Sequence, residues 1–597
     1  MGKSKYLTVL ASFVLALGLY GCSGENSPVD PVNPDNGGTE KPEAKGKQFR
    51  GFIDSTAMRA STASRTFGVY GELDPLTHKT GIRFYWDEEE DKDSPYLYIW
   101  DTKVSSWRWF STRDVLERDK QNHQILSAAW TLGGATLDQE TYKLRYGNRA
   151  YNNEAYFYSN QEQLVPGQAN KLRTYGDCGT AIAEDNGLYY DFTLKHSAAF
   201  ITFMPYAGGA VTDESHKVLV NCKLWRVRIS SDQFMGNTGQ YFKFNDNGID
   251  QSQWPTSGQK YIQLECAKDN SGTITANYGI PSSKNAAKTN GAIMVLAPGT
   301  YTNVKIEYTV YDPVVQSSAI FTKSIPTLTL NPGKNLPIYS ALTCKDYSSQ
   351  FGLYHMWGAQ DNYWNSTFPA SHNWGPLGVP AQINYPSTGQ LRYFSNVDAA
   401  ALAGPKDAPA GSKDADAPTI NLLHWYVTKG DPRWDPEPFT YDGHLFTGRI
   451  WFLKASVIAA NYGVSVPDMS QKIQGGNDVS AGYTSESRTP SDWSNVPEAQ
   501  RSNYFYVVPL GYYEDGQLKM LQSTSYGYSY FWSSTGYAGY GVGHQNSKIY
   551  AAYLRIQLSN PYTNNSSSYI HIENDYDSEN YRTKGYQTWP GEQFTYN

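Results

Sequence analysis

Charge is scarce in this chain. Asp, Glu, Lys and Arg make up 18% of its 597 residues, below the quarter or so of an ordinary globular protein, and acids outnumber bases by 57 to 50. The resulting net charge of −7 lacks the basic excess that binding a nucleic-acid backbone demands. Cysteine is nearly absent, with five residues and no C-x-x-C spacing, so neither a zinc cluster nor a dithiol redox site is expected. Common catalytic signatures are missing as well: there is no H-E-x-x-H, G-x-S-x-G, G-x-x-x-x-G-K-[ST] or EF-hand loop. Glycosidases stay open, because they need only two carboxylates at a suitable distance. What the chain has in excess is aromatic: 48 Tyr, 23 Phe and 16 Trp, together 15% of the residues, beside 52 Gly and 31 Pro. That composition excludes a disordered chain, a coiled coil and a helical bundle. At roughly 150 residues per domain, the length allows about four globular units at most.

Lys3 and Lys5 precede an apolar run over residues 6–20, too short for a membrane-spanning helix but the size of a signal peptide's apolar region. Nothing comparable occurs later in the chain. The run ends in Leu19, Tyr20, Gly21 and Cys22, which resembles a bacterial lipobox. Residues 1–21 are then a lipoprotein signal peptide, Cys22 is the lipidated first mature residue, and the mature charge is −9 because the leader carries two Lys and no acid. Several acyl chains, at about 0.8 kcal/mol per buried CH₂, anchor such a protein stably. The stretch 22–48 is mostly Pro, Gly, Asn, Asp, Glu and Lys. Such a segment cannot offset its ordering entropy by burial, and it reads as a flexible tether.

From about Phe49, short apolar and aromatic runs alternate with Gly, Asn and Asp, the texture of an all-β fold. Val304, Ile306, Tyr308 and Val310 alternate with polar residues, as in a half-buried strand. Val218, Val220, Cys222 and Leu224 alternate likewise, then resume out of phase at Val227 and Ile229, so a bulge near Trp225 is expected. Cys222 in this run reads as a plain buried thiol. After Cys344 the texture changes: nine of the 16 Trp fall there and alternation becomes rare, which suggests a loop-rich α+β unit pinned by large side chains. Ile450, Leu453, Val457 and Ile458 predict a helix over residues 448–462, stopped by Gly463. Tyr526, Tyr528, Tyr530 and Trp532 predict a strand, and the Ala/Asp/Pro/Gly-rich stretch 398–418 an exposed, mobile insertion.

Four segments could carry chemistry. The acidic run 87–91 is best read as a solvated turn, since adjacent carboxylates in water have nothing to split their pKa values. Residues 431–437 place Asp431, Asp435 and Glu437 beside Trp434, a combination that sugar sites use and packing loops also show. Tyr540 lies within the glycine-rich stretch 539–543 and Tyr537 just before it, where Tyr offers rigid contact area and Gly adapts around it, so they join Trp434 as candidate ligand-binding residues. Asn574, Asp575 and Asp577 gather hard oxygen ligands that a Ca²⁺ ion could accept; otherwise no cofactor is expected.

The segment from Asp191 to Phe203, with Leu194, His196, Ala199 and Phe203, resembles the strand that opens the second domain of fimbrillin-like lipoproteins of Bacteroidales. Leu296 to Tyr301 and Leu328 to Asn335 resemble that domain's closing strands. The C-terminal third is similar to a different family, the bacterial paralogous domain with a C-type-lectin-like fold. The likeness runs through Pro509, Leu510 and Gly511, then Tyr530 to Thr535, then Ala551 to Leu554. Where that family closes on G-x-x-V-R, this chain has Gly585 to Trp589, and the motifs of calcium-dependent sugar binding in animal lectins are absent. Trp532 reads as a core residue.

These resemblances imply a mainly β protein. Two transthyretin-like β-sandwiches, 49–190 and 191–343, precede an α+β C-type-lectin-like domain, 344–597. Fimbrillin-like proteins are exported as lipoproteins, cut by an Arg-specific protease in the first domain, and assembled when a partner's strand fills the groove left behind. Arg50, Arg59 and Arg65 are the candidate cleavage sites. The resemblance thus implies a non-enzymatic pilus tip subunit or adhesin at the outer membrane, cell surface or fimbrium. Its partners would be other pilus subunits, the membrane through its lipid, and a surface ligand of the glycan or protein class. The competing reading is a cell-surface polysaccharide-binding lipoprotein or glycoside hydrolase.

Overall fold

The computed structural model describes residues 47–52, 67–74, 79–86, 97–110, 112–118, 120, 123–133, 137–148, 153–236, 240–266, 278–315, 317–348, 354–363, 386–394, 404–441, 443–480, 485–519, 526–538, 549–559, 569–574 and 583–596. Strand dominates throughout, as the composition predicts. The first sheet has nine strands, eight of them in the order 106–109, 97–101, 141–146, 179–185, 189–193, 48–52, 125–131, 112–118. Its two outermost strands, Ser106–Trp109 and Thr112–Arg118, are joined by only Phe110 and Ser111. A linker that short cannot cross a flat eight-strand sheet, since strands lie about 4.8 Å apart and consecutive Cα atoms about 3.8 Å. The sheet therefore curls round its own core, which holds Phe49, Trp86, Trp130, Tyr146, Tyr190 and Phe192.

The middle of the molecule is layered. Ala199–Ala207 lies between Ala292–Leu296, antiparallel, and Asn335–Leu342, parallel. Ala199, Ile201 and Phe203 face a five-stranded sheet and share a core with Val227, Ile229, Ile262 and Val304. Phe200 and Met204 point the other way, into a second core with Ile293, Val295, Tyr70, Phe157 and Leu172. A strand covered on both faces needs apolar residues at both parities, which is why AFITFMPYA shows no alternation. Gly299–Asp312, by contrast, has Val304, Ile306, Tyr308 and Val310 buried in the expected period of two.

Two expectations change here. Residues 218–221 belong to a helix, Glu214–Asn221, whose buried face carries Val218 and Leu219. The strand begins only at Lys223, with a register shift between Leu224 and Arg226 that places the bulge at Trp225. The 190/191 boundary is also crossed. Tyr189–Thr193 belongs to the first sheet, Asn160–Glu162 pairs with Tyr261–Glu265, and Tyr70, Phe157 and Leu172 complete the core behind Phe200.

The C-terminal unit has two larger sheets. One runs 345–346, 433–441, 444–453, 504–507; the other runs 354–355, 586–587, 526–538, 549–559, 569–574, 485–488. The helix Ile420–Lys429, capped by the Thr419 hydroxyl, buries Leu423 and Val427 between them. The predicted 448–462 helix is half strand: His444–Leu453 is extended and only Ala455–Tyr462 is helical. Its apolar spacing spanned a strand-to-helix junction by coincidence of phase. The 398–418 stretch also departs from expectation over its described part. Gly404–Asp407 pairs with the 526–538 strand, and Asp414 is fully buried. There Asp414 Oδ1 lies 2.5 Å from His355 Nε2, its Oδ2 accepts from the Gly358 amide at 2.6 Å, and His355 Nδ1 lies 3.0 Å from Thr588 Oγ1. Trp532 is core, stacked on Tyr586 at 3.9 Å and donating to the His355 carbonyl. Tyr586–Gln587 supplies the closing strand, with Gln587 accepting from the Leu510 amide at 2.7 Å.

Candidate functional site

The most N-terminal described strand, Gln48–Phe52, lies inside the first sheet. It pairs in parallel with Tyr189–Thr193 over five residues and antiparallel with Ile125–Thr131 over three. Phe49 points inward with 0% exposure, stacked on Tyr190 at 4.8 Å and edge-on to Phe110 at 5.0 Å and Tyr142 at 5.8 Å. Gly51 is the next inward position. A Cβ there would sit 2.6 Å from the Trp130 ring and 2.7 Å from the Phe192 ring, so the slot accepts a large aromatic followed two residues later by no side chain. On the outer face the Arg50 guanidinium holds both carboxylate oxygens of Asp191 at 2.8 Å, and that hydrogen bonding raises its pKa further. Gln48 donates to Thr131 and Asp114, and Lys47 pairs with Asp185. The strand is thus held by backbone pairing on both sides, one buried ring and a row of polar contacts. It continues into residues 53–66, which contain Arg59 and Arg65 and lie outside the described residues, as does Cys22. Arg50 is itself a paired residue at the middle of the strand.

A second assembly joins the middle layer to the C-terminal unit. Asp312 Oδ2 lies 3.0 Å from His444 Nδ1 and accepts from the Leu445 amide at 3.1 Å, while the Ser317 hydroxyl donates to the Leu445 carbonyl. The Leu445 side chain is buried in the core of the five-stranded sheet. Beside this clamp opens a cleft of about 680 Å³, with one wall from the 299–312, 317–330 and 335–342 strands and the other from residues 435–438 and 492–494.

Residues 431–437 divide between packing and cleft. The Trp434 ring lies over Gly448, whose φ is +99°, so closely that a Cβ there would be 1.7 Å from the ring. It also packs against the core that holds Ile420 and Phe452. This candidate ligand residue is a packing residue. Asp431 accepts from Arg433 and from Tyr504 at 2.6 Å. Asp435 Oδ2 accepts from Arg449 Nε and Nη2 at 3.1 and 2.9 Å and from Trp451 Nε1 at 3.0 Å. Tyr537 and Asn574 are strand residues by backbone, paired with Tyr550 and Ala552, and their side chains lie outside the described set. Tyr540, Asp575 and Asp577 also lie outside it. Among the described residues no group of three or more His, Cys, Asp or Glu could hold a metal ion. Sequence reasoning missed the cleft, whose walls, one ending at Thr343 and the other beginning at Asp435, are distant in the chain and carry no shared motif.

No protein-family model matches the chain, and no curated protein matches it. Solved structures give likenesses over about half its length, each described as a "putative cell adhesion protein". The one from Bacteroides ovatus shows 14% identity over 48% of this chain and 95% of its own, with a TM-score of 0.22. The one from Bacteroides uniformis shows 12% identity over 50% and 94%, with a TM-score of 0.26. The one from Bacteroides fragilis shows 13% identity over 47% and 92%, with a TM-score of 0.21. Likeness at that level fixes neither the fold nor the function of this chain.

Proposed function

We propose that this protein is the lipid-anchored precursor of a fimbrial tip subunit or surface adhesin that assembles by exchange of its N-terminal strand. The observation that carries the reading is the position of Gln48–Phe52: a strand near the start of the chain, set between two others and followed by a connection that holds Arg59 and Arg65. Cutting after either arginine turns the strand into a separate peptide kept in place only by non-covalent contacts. Its departure bares two rows of unpaired backbone groups and an aromatic slot lined by Phe110, Trp130, Tyr142, Tyr190 and Phe192. A partner's strand restores both kinds of contact at once, which is β-strand addition. Cutting after Arg50 is less suited to this chemistry, because a protease needs that backbone extended and free while here it is paired on both sides.

The test is the N-terminus of the native protein, determined by mass spectrometry separately in sheared surface filaments and in membranes. The expected result is a filament form starting at residue 60 or 66 and a membrane form starting at lipidated Cys22. Finding only the Cys22 form, confined to membranes, refutes strand exchange and leaves a permanently tethered receptor.

A further inference from the structure

We infer that the seat of the Gln48–Phe52 strand selects its replacement by side chain: a large aromatic residue, then arginine, then glycine, on a strand of a protein other than this one. The inference deepens the strand-exchange reading and rests on it. Inward, the first position is bounded by the Tyr190, Phe110 and Tyr142 rings at 4.8, 5.0 and 5.8 Å, a slot whose stacked and edge-on contacts suit another ring. Two residues on, the space is already filled. A Cβ at position 51 would lie 2.6 Å from Trp130 Cζ3 and 2.7 Å from Phe192 Cζ. Neither ring has room to swing aside, because Trp130 is buried, packed edge-on to Trp86 at 4.5 Å and against Phe192 at 5.4 Å. Glycine alone lets the strand lie there without shifting this core.

The outer face selects by charge. The Arg50 guanidinium bonds both Asp191 carboxylate oxygens at 2.8 Å and lies over the Tyr189 ring at 4.7 Å. When the strand leaves, Asp191 keeps the Asn186 side-chain amide and stands directly opposite Glu184 on the neighbouring strand, so the position is left acidic. A planar guanidinium meets a carboxylate with two parallel hydrogen bonds and an aromatic ring with its face, which a lysine ammonium does not. Asp185 and Asp114, the partners of Lys47 and Gln48, extend the acidic rim and disfavour an acidic strand. Parallel pairing with 189–193 and antiparallel pairing with 125–131 fix direction and register, so the three requirements fall on consecutive residues. A large aromatic, then Lys or Arg, then Gly occurs once in the 597 residues, at 49–51. Elsewhere the aromatic-x-Gly triplets carry Ala207, Met235, Asp442, Thr447, Ala538 or Pro590 in the middle. A second copy therefore offers no fitting strand beyond the one it already seats, which points to a different protein as donor.

The test uses the full chain with Cys22→Ser to prevent lipidation and a site-specific protease sequence in place of residues 59–65, nicked once. Synthetic peptides compete with a fluorescent peptide of residues 46–54 for the seat, read by anisotropy. Relative to the parent peptide, Gly51→Ala should compete about tenfold or more less well. Arg50→Gln should lose about three- to tenfold, since its carboxylate contact is partly exposed. Peptides of residues 203–211, 443–451 and 586–594, which carry other aromatic-x-Gly triplets, should not compete. In the chain, Asp191→Asn should narrow the Arg-over-Gln preference to below about twofold and leave the Gly-over-Ala preference unchanged, which also shows that the seat is intact. Equal competition by the Gly51→Ala or Arg50→Gln peptide, competition by the peptides from elsewhere in the chain, or dimers of nicked chains that have released their strands overturns the inference. Failure of the parent peptide itself to enter overturns strand exchange along with it, whereas unselective entry overturns this inference and leaves exchange standing.

Discussion

Truncating Phe49 to Ala tests whether the Gln48–Phe52 strand is held by its inward ring. The ring is fully buried and touches Tyr190, Phe110 and Tyr142, and deleting a buried Phe costs about 3–5 kcal/mol. The backbone pairing and the Arg50–Asp191 contact are left in place, so the loss falls mainly on the equilibrium between seated and released strand. Since 1.4 kcal/mol is a factor of ten, 3 kcal/mol raises the released population by about two powers of ten. When reclosing outpaces cleavage, proteolysis follows that population. The assay is limited digestion by an Arg-specific protease of chains that carry Arg59→Lys and Arg65→Lys, with the Arg50–Gly51 cut followed by mass spectrometry. Phe49→Ala should speed that cut by about a hundredfold at unchanged far-ultraviolet dichroism. Equal cutting rates with and without Phe49 would refute the reasoning, because the seat would then not be what protects Arg50.

Gly448→Ala combines a positive φ with a Cβ 1.7 Å from the Trp434 ring, so a loss of about 2–5 kcal/mol is expected in urea unfolding, and an unchanged midpoint would show that the ring does not lie over this backbone. Cys178, Cys222 and Cys266 are buried free thiols whose pKa values burial raises, and burial pushes the partly exposed Cys344 up to about 12. In the Cys22→Ser chain, iodoacetamide at pH 8 should therefore label none of them while folded and all four once unfolded; labelling of fewer in denaturant would reveal a disulfide. His424 is buried beside Glu486, and burial outweighs that carboxylate to lower the imidazole pKa. Its contribution to stability is complete above the ordinary value of 6.5 and is lost as pH falls below it toward the depressed folded value. The drop in melting temperature between pH 7.5 and 5.5 should accordingly be smaller in His424→Gln, and an equal drop would remove His424 from the account.

Where one face of a strand meets a core and the other meets solvent, the pattern was readable, as at Val304, Ile306, Tyr308 and Val310. The bulge at Trp225 was readable too, because an inserted residue reverses the alternation. Local pattern failed where two periods coincide over a short stretch. Val218 and Val220 alternate as in a strand, yet Val218 and Leu219 turn inward from a helix. Ile450, Leu453, Val457 and Ile458 fit a helical stripe across the junction after Leu453. Composition misled at 404–418, where small and acidic residues suggested solvent but Asp414 is buried against His355, a pairing that no local window contains. The candidate site followed the same rule. Arginines near the first strand were visible, whereas the seat for Phe49 and Gly51 is built from residues 110 to 192 and the cleft from residues 305 to 494. Trp434 was chosen for its acidic neighbours, and it is two of those neighbours, Asp435 and Glu437, that reach the cleft.

The strand Ala199–Ala207 has an apolar residue on each side at almost every step, and that bears on how such a protein can be taken apart or passed on. A recombination joint near residue 190 would strip the cover from Phe200, Met204, Ile293 and Val295, at about 1.5–3 kcal/mol for each side chain returned to water. That sum rivals the whole stability of an ordinary domain, so the first two units can be duplicated, shuffled or transplanted only as one cassette. The C-terminal unit is attached on different terms, through Leu445 seated in its neighbour's core, Val315 of that neighbour seated in turn beside Phe439, Tyr441 and Phe446, and a few polar ties around them. A different terminal domain would have to offer an apolar residue and a free amide at that point and a pocket for Val315, which makes this small joint the natural seam for exchanging what the molecule presents to its surroundings.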